Sequence, residues 1–303
     1  MSRTGIVFWV ICVGLFITAI AFAVTGIALG ANPEIPSGVR VGTSWNWSSN
    51  ANIHDLQLAA SDEEVVNHSY RTLYSDIAHL DIETGGISTV IRQWNGSEIN
   101  VDTSHLSRDV RRRLNVNQTG DRLRITTGNR TGISFGVNLG GETLVIQVPA
   151  GMEFESVLLD TGAGQIVVDK IVANRVEISV GAGQANVDVL EVNTLDIDIG
   201  AGQGIVGDFT ANRANMHVGA GQLDITGTVE ERAELDCGIG EIIFNVWGSP
   251  EEFGHSISVG IGEATFGNIS VTGLGRESTG NQHFDRFIDI NVGIGSVTVN
   301  FLN

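Results

Sequence analysis

Carboxylates recurring at a fixed interval are the densest source of chemistry in this chain. Asp196 and Asp198, then Glu234 and Asp236, fall in equivalent places of two sequence units with one unit between them. Oxygen-only side chains on stacked strands are the ligand chemistry of Ca²⁺. Carboxylates one strand apart repel by roughly 0.9 kcal/mol in bulk water, which a bridging ion would relieve. Asn215 and His217 occupy the same columns and dilute that repulsion, so the plain reading is a solvated acidic face. A second cluster lies in "GLGRESTGNQHFDRF", where Arg276, Glu277, His283, Asp285 and Arg286 could contact a sugar or a peptide. That segment reads as a cap or partner-binding loop rather than a catalytic site, because a cleft needs several converging loops.

Other chemistries fail on spacing. Cys237 falls in an apolar column, which makes it core rather than nucleophile. Seven scattered histidines give no zinc pattern, and GxG without a following helix is no dinucleotide fingerprint. No cofactor is expected. A net charge of −18 with Lys170 as the only lysine argues against nucleic acid. The one basic cluster, Arg108, Arg111, Arg112 and Arg113, has Asp109 inside it and reads as a solvated loop. Two cysteines, Cys12 and Cys237, make no disulfide framework.

These residues are positioned by a repeat. GAGQ begins at Gly162, Gly181, Gly200 and Gly219, GIGE at Gly238 and Gly260, and GIGS at Gly293. The second glycines are Gly164, Gly183, Gly202, Gly221, Gly240, Gly262 and Gly295, and the spacings are 19, 19, 19, 19, 22 and 33. Stacking the units aligns apolar columns: Val168, Val187, Val206, Ile225; Val176, Leu195, Ala214, Ala233; Ile178, Ile197, Met216, Leu235; and Val180, Ile199, Val218, Cys237. The last three columns alternate with polar ones at period two, the mark of a strand with one buried face. A unit of 19 residues is too short for a βαβ crossover of about 30.

The reading is therefore all-β: a single-stranded β-helix (a β-solenoid, right-handed, about 19 residues per rung) with rungs stacked about 4.8 Å apart in sequence order. The glycines mark a corner needing positive φ or close backbone approach. The Ala or Ile between them is expected to point inward, and Gln165, Gln184, Gln203 and Gln222 to form an amide ladder. Upstream, "LDIETGGI" at 80–87 resembles the repeat, and strands are expected at 88–91, 98–101, 122–126, 144–148 and 156–159. The sixth unit is 33 residues, and a coil ending at Phe301 must cap itself or meet a partner.

Residues 5–29 carry no charge over 25 residues, roughly 37 Å as a helix, enough to span a bilayer core. Arg3 precedes them and Glu34 is the first charge after them, which places the N-terminus in the cytoplasm and the remainder outside. A cleaved signal peptide would use Ala21-Phe22-Ala23 or Ala28-Leu29-Gly30, but the stretch exceeds the usual apolar core of about 7–15 residues. The organisation expected is a cytoplasmic tip 1–4, a transmembrane helix 5–29, a juxtamembrane stalk 30–70, irregular rungs 71–160 and regular rungs 161–303.

The passages "HLDIETGGISTVIRQWNGSEINV" and "LVIQVPAGMEFESVLLDTGAGQIVV", followed by GxG units, resemble the bacterial putative-adhesin domain of unknown function. Its relatives include toast-rack envelope proteins and adhesin-head solenoids, and the resemblance covers about residues 70–303. It implies a membrane-tethered β-helix with no catalytic residues to carry over. The function expected is a non-catalytic structural or interaction protein of the plasma membrane, its partner an envelope polymer or protein. An accessory of envelope-stress signalling and a carbohydrate-binding or carbohydrate-active β-helix are the alternatives.

Overall fold

A computed structural model of the chain describes residues 70–127, 142–273, 276–279 and 284–302. They fall in one compact unit, Val65–Asn303. The tip 1–4, the apolar stretch 5–29 and the 30–69 part of the stalk lie outside the described residues. Among the described residues no helix is long and apolar enough to cross a membrane.

The unit is almost entirely strand, in one continuous sheet. The N-terminal group is β1 (Arg71–Tyr74), β2 (His79–Thr84), β3 (Ser88–Trp94), β4 (Ile99–Asp102), β5 (Leu114–Thr119), β6 (Arg122–Thr127) and β7 (Thr143–Pro149). One turn of helix, α1 (Arg108–Arg111), sits between β4 and β5, capped by the Ser107 side chain. The central group is β8 (Glu153–Thr161), β9 (Gln165–Val180), β10 (Gln184–Ile199), β11 (Gln203–Val218) and β12 (Gln222–Cys237). The C-terminal group is β13 (Glu241–Trp247), β14 (Phe253–Val259), β15 (Glu263–Phe266), β16 (Ile269–Thr272), β17 (Arg276–Thr279), β18 (Arg286–Val292) and β19 (Ser296–Leu302). All five strands expected between residues 88 and 160 are present, as β3, β4, β6, β7 and β8.

Burial shows how one 16-residue strand makes most of a turn of the coil. In β9 the inward residues include Ile166, Val168, Ile171, Ala173, Val176, Ile178 and Val180. The step is two within each flat stretch and three after Val168 and after Ala173. A step of three flips the alternation, so the strand bends there to keep apolar residues inside. Pairing agrees: β9 and β10 are parallel, with Val187 opposite Val168 and Val189 opposite Lys170, while Asp169 and Asp188 are skipped at the bend. Register partners in β9 to β12 are mostly 19 apart, as Gln184 with Gln203 and Gln203 with Gln222. All four apolar columns read from the repeat are buried. One irregularity is local: Gly227 leaves room for Phe209, whose Cδ1 would lie 2.2 Å from a Cβ there. The register slips by one residue at that point.

The GxG corner decides one expectation, positive φ or close backbone approach, and corrects another. None of its glycines has positive φ, so backbone proximity explains them. A Cβ on Gly202 would lie 2.3 Å from the Gly183 carbonyl oxygen, and one on Gly221 2.3 Å from that of Gly202. Each corner also hydrogen-bonds the one before it, as Ala201 N–H to Gly181 O at 2.7 Å and Gln203 N–H to Gly183 O at 3.0 Å. Two glycines pressed on neighbouring backbone throw the residue between them outward. Ala182, Ala201 and Ala220 are exposed, as are Ile239, Ile261 and Ile294, contrary to the inward orientation expected.

Stack order also departs from chain order at both ends. β18 and β19 lie directly on β12 and β13, and β14 and β15 lie on β18 and β19. The last segment is therefore tucked beneath an earlier one, and Gly293 sits between Gly238 and Gly260. At the other end β2 and β3 lie between β8–β9 and β6–β7. Antiparallel strands line the open edges: β16 on β15 and β17 on β14 at one end, β5 on β6 and β4 on β7 at the other. The coil does not end at Phe301 as an open rung. The Phe301 ring instead packs on Phe253 and Phe266, with centroids 5.5 and 4.9 Å away. The physical reason is edge protection, since an unpaired parallel edge is a template for further pairing.

Candidate functional site

The acidic columns lie on the outward face of the stretch from each second bend to the next corner. Arg175, Glu177, Asp196, Asp198, Asn215, His217, Glu234 and Asp236 line one shallow depression there. On this outward face several polar groups are paired from rung to rung. Arg175 contacts Asp196 at 2.6 Å, and Asn215 donates to Asp196 at 2.7 Å. Asn291 donates to Asp236 at 2.9 Å, and Arg232 meets Asp289 at 2.8 Å. The calcium candidates Asp196, Asp198, Glu234 and Asp236 share the face but not a point. The rung of Asn215 and His217 separates the pairs, so they stand about 9.6 Å apart along the stack, against ligand distances of about 2.3–2.6 Å. Among the described residues no group of three or more His, Cys, Asp or Glu is placed to hold a metal ion.

The second cluster is dispersed. Arg276 opens β17, in register with Val259 of β14. His283 lies outside the described residues, and Asp285 is exposed. Arg286 is engaged within the fold: it donates to the Val229 carbonyl at 2.8 Å, contacts Glu252 at 2.9 Å and covers the Phe253 ring at 4.2 Å. The basic run is likewise engaged locally. Arg111 donates to the carbonyls of Thr103 and Leu106 and lies over the Tyr70 ring, while Arg113 donates to the Asp109 carbonyl.

Cys237 and His255 lie inside. Cys237 is buried, and burial pushes its thiol pKa up. His255 is buried, its ring 4.5 Å from that of Phe266, and desolvation holds its pKa below the usual histidine value. Three outward carboxylates have pKa values raised by burial and then by a neighbouring rung: Asp160 by Glu83, Asp188 by Asp169 and Asp224 by Glu241. In each, burial is the larger cause and the nearby carboxylate adds to it.

Beside the corner the glutamines form the expected ladder over part of its length. Gln184 donates to Gln203 at 3.2 Å, Gln203 to Gln222 at 3.4 Å, and Gln222 to Glu241 at 2.7 Å. The amide chain thus ends on a carboxylate. The repeat-based reading missed what stands next to it, the exposed Ile239, Ile294 and Ile261. The signal was present in the change from GAGQ to GIGE and GIGS.

The sequence model described as Toastrack DUF4097 matches residues 77–249. Among solved structures the chain is similar to a putative lipid binding protein from Parabacteroides distasonis, at 14% identity, 77% of this chain, 95% of that chain and a TM-score of 0.46. It is also similar to a putative adhesin from Bacteroides fragilis, at 10% identity, 76% of this chain, 94% of that chain and a TM-score of 0.37. No curated protein matches the chain.

Proposed function

The chain belongs to the Toastrack DUF4097 family, and from that membership we propose that it is a membrane-anchored interaction protein of the cell envelope, with no catalytic activity. The carrying observation is the outward surface. Several of its polar groups are paired from one rung to the next, as in Arg175 with Asp196 and Gln203 with Gln222, while Cys237 and His255 are turned inward. Such a surface offers long, flat, repeated faces to a protein or an envelope polymer. It offers a small substrate little enclosure.

The anchor in this proposal is the uncharged stretch 5–29, with Arg3 on its cytoplasmic side and everything after residue 30 outside the membrane. A C-terminally tagged chain expressed in bacteria tests it. The tag is expected in the carbonate-resistant membrane fraction and to be removed by protease added to spheroplasts. Recovery of the tag as soluble cytoplasmic protein overturns the proposal.

A further inference from the structure

Two changes occur together in three corners. Where four corners carry Ala and then Gln, the others carry Ile239 with Glu241, Ile261 with Glu263 and Ile294 with Ser296. In chain order the two glutamates would be neighbours. In the stack, Gly293 sits between Gly238 and Gly260, so the outward column reads Glu241, Ser296, Glu263. The serine rung separates the carboxylates and leaves both fixed, Glu241 by Gln222 at 2.7 Å and Glu263 by Ser270 at 3.2 Å.

The isoleucines form a continuous ridge that stays in water. Ile239, Ile294 and Ile261 are 49%, 56% and 62% exposed. They stand one per rung, about 4.8 Å apart. On the other side of the ridge the outward column holds Asp236, Asn291 and Ser258. Arg276 lies in register with Val259, at the end of the ridge rather than along its carboxylate flank.

We propose that this corner docks a cationic amphipathic helix of a separate polypeptide, aliphatic residues meeting the isoleucine ridge and lysines or arginines meeting Glu241 and Glu263. The charge is complementary to such a partner and opposed to an anionic lipid surface. A helix places an aliphatic stripe at about 5.4 Å per turn, close enough to the rung spacing to run along three isoleucines. A second copy of this chain would bring its own carboxylates against these. The proposal rests on the interaction reading above and gives it a site and a partner chemistry.

The full-length chain in neutral detergent is titrated against a labelled 18-residue leucine–lysine amphipathic helix, with fluorescence anisotropy as the readout. Two variants restore what the protein carries at its other corners: Ile239→Ala with Ile294→Ala and Ile261→Ala, and Glu241→Gln with Glu263→Gln. Because those residues already stand at four corners, folding should persist, which circular dichroism checks. Saturable binding is expected, weakened about tenfold or more by the alanines, and losing most of its salt dependence in the glutamine variant. Binding unchanged by the alanines overturns the site while leaving an interaction surface elsewhere on the protein. Equal binding of a leucine–glutamate helix overturns the partner chemistry. No peptide binding, with an association state in sedimentation that the alanines abolish, replaces the partner with a second copy. No peptide binding, with hydrogen-exchange protection of the three corners by vesicles, replaces it with a bilayer.

Discussion

Replacing Gly202 by alanine tests the account of the corner at a second glycine of the repeat. The new Cβ would stand 2.3 Å from the Gly183 carbonyl oxygen, 2.7 Å from Val180 Cγ1 and 3.1 Å from Gly183 N. Two of these three neighbours are backbone, so relief requires the rungs to part by about 1 Å. The hydrogen bonds that hold this corner to the one before it then stretch: Ala201 to Gly181 at 2.7 Å and Gln203 to Gly183 at 3.0 Å. Overpacking costs about 1–3 kcal/mol, and each strained bond adds about 0.5–1.5 kcal/mol. The lower entropy of alanine in the unfolded chain offsets about 0.4–1 kcal/mol. The net expectation is a loss of about 2–4 kcal/mol, read from urea unfolding followed by circular dichroism. Gly86→Ala is the matched control. In the β2–β3 corner, Gly85-Gly86-Ile87, Gly86 stands where Ala163 stands in the next corner, with nothing within 4 Å of a Cβ, so the same substitution is expected to be neutral or slightly stabilising. Equal effects at Gly202 and Gly86 would refute the argument from backbone approach.

Acidification should stabilise the coil before it harms it. Asp188 is raised by burial and then by Asp169, and Asp169 is raised by burial despite the Gln93 backbone N–H and Arg92. A raised folded pKa means that the folded state binds more protons than the unfolded one above the ordinary Asp range near 3.9, so stability rises as pH falls from neutral through the raised values. Asp188→Asn should raise the midpoint of unfolding at pH 7.5 and flatten this dependence; an unchanged pH profile would remove the stacked pair as its cause. Cys237, buried and with its thiol pKa raised, should stay unreactive to a thiol reagent in the native protein and react once it is unfolded, as absorbance would record. Deleting residues 284–303 should expose 249–279 to limited proteolysis as well, because β14 and β15 reach the rest of the stack through β18 and β19. Retained protection of 253–266 would contradict the tucked order.

Local periodicity carried the cross-section into the sequence. Val176, Ile178 and Val180 alternate because one strand face is buried, and the interval of 19 aligned every such column correctly. The orientation of the corner residue was not legible by the same rule. Extending the alternation from Val180 through Ala182 assumes a straight strand, and Gly181 turns it. Nor was the order of the ends legible. Gly238, Gly260 and Gly293 are near-identical units, and any order of stacking them satisfies the same local pattern. What decides is the edge, a property of the finished stack rather than of any unit. The candidate site inherits that limit, because Glu241, Ser296 and Glu263 become one column only through the reordering.

The reordering has an energetic logic. Ile288, Ile290, Val292, Val297 and Val299 of the tucked segment are all buried. At about 1.5–3 kcal/mol each their burial contributes on the order of 10 kcal/mol, an upper bound because the unfolded chain already hides some of that surface. A last segment added at the open end would bury one face of its ladder against a neighbour and leave the other to water. Placed between two rungs, it pairs on both sides, and the strands it displaces outward, β14 and β15, are lined by the antiparallel β17 and β16. The same solution recurs at the start, where β2 and β3 are enclosed by β6 and β7, and those by β5 and β4. Among the described residues, antiparallel strands thus cover part of the parallel ladder at each end. The proposed partner contact accordingly lies on the sides, where the columns of polar residues and the isoleucine ridge are found.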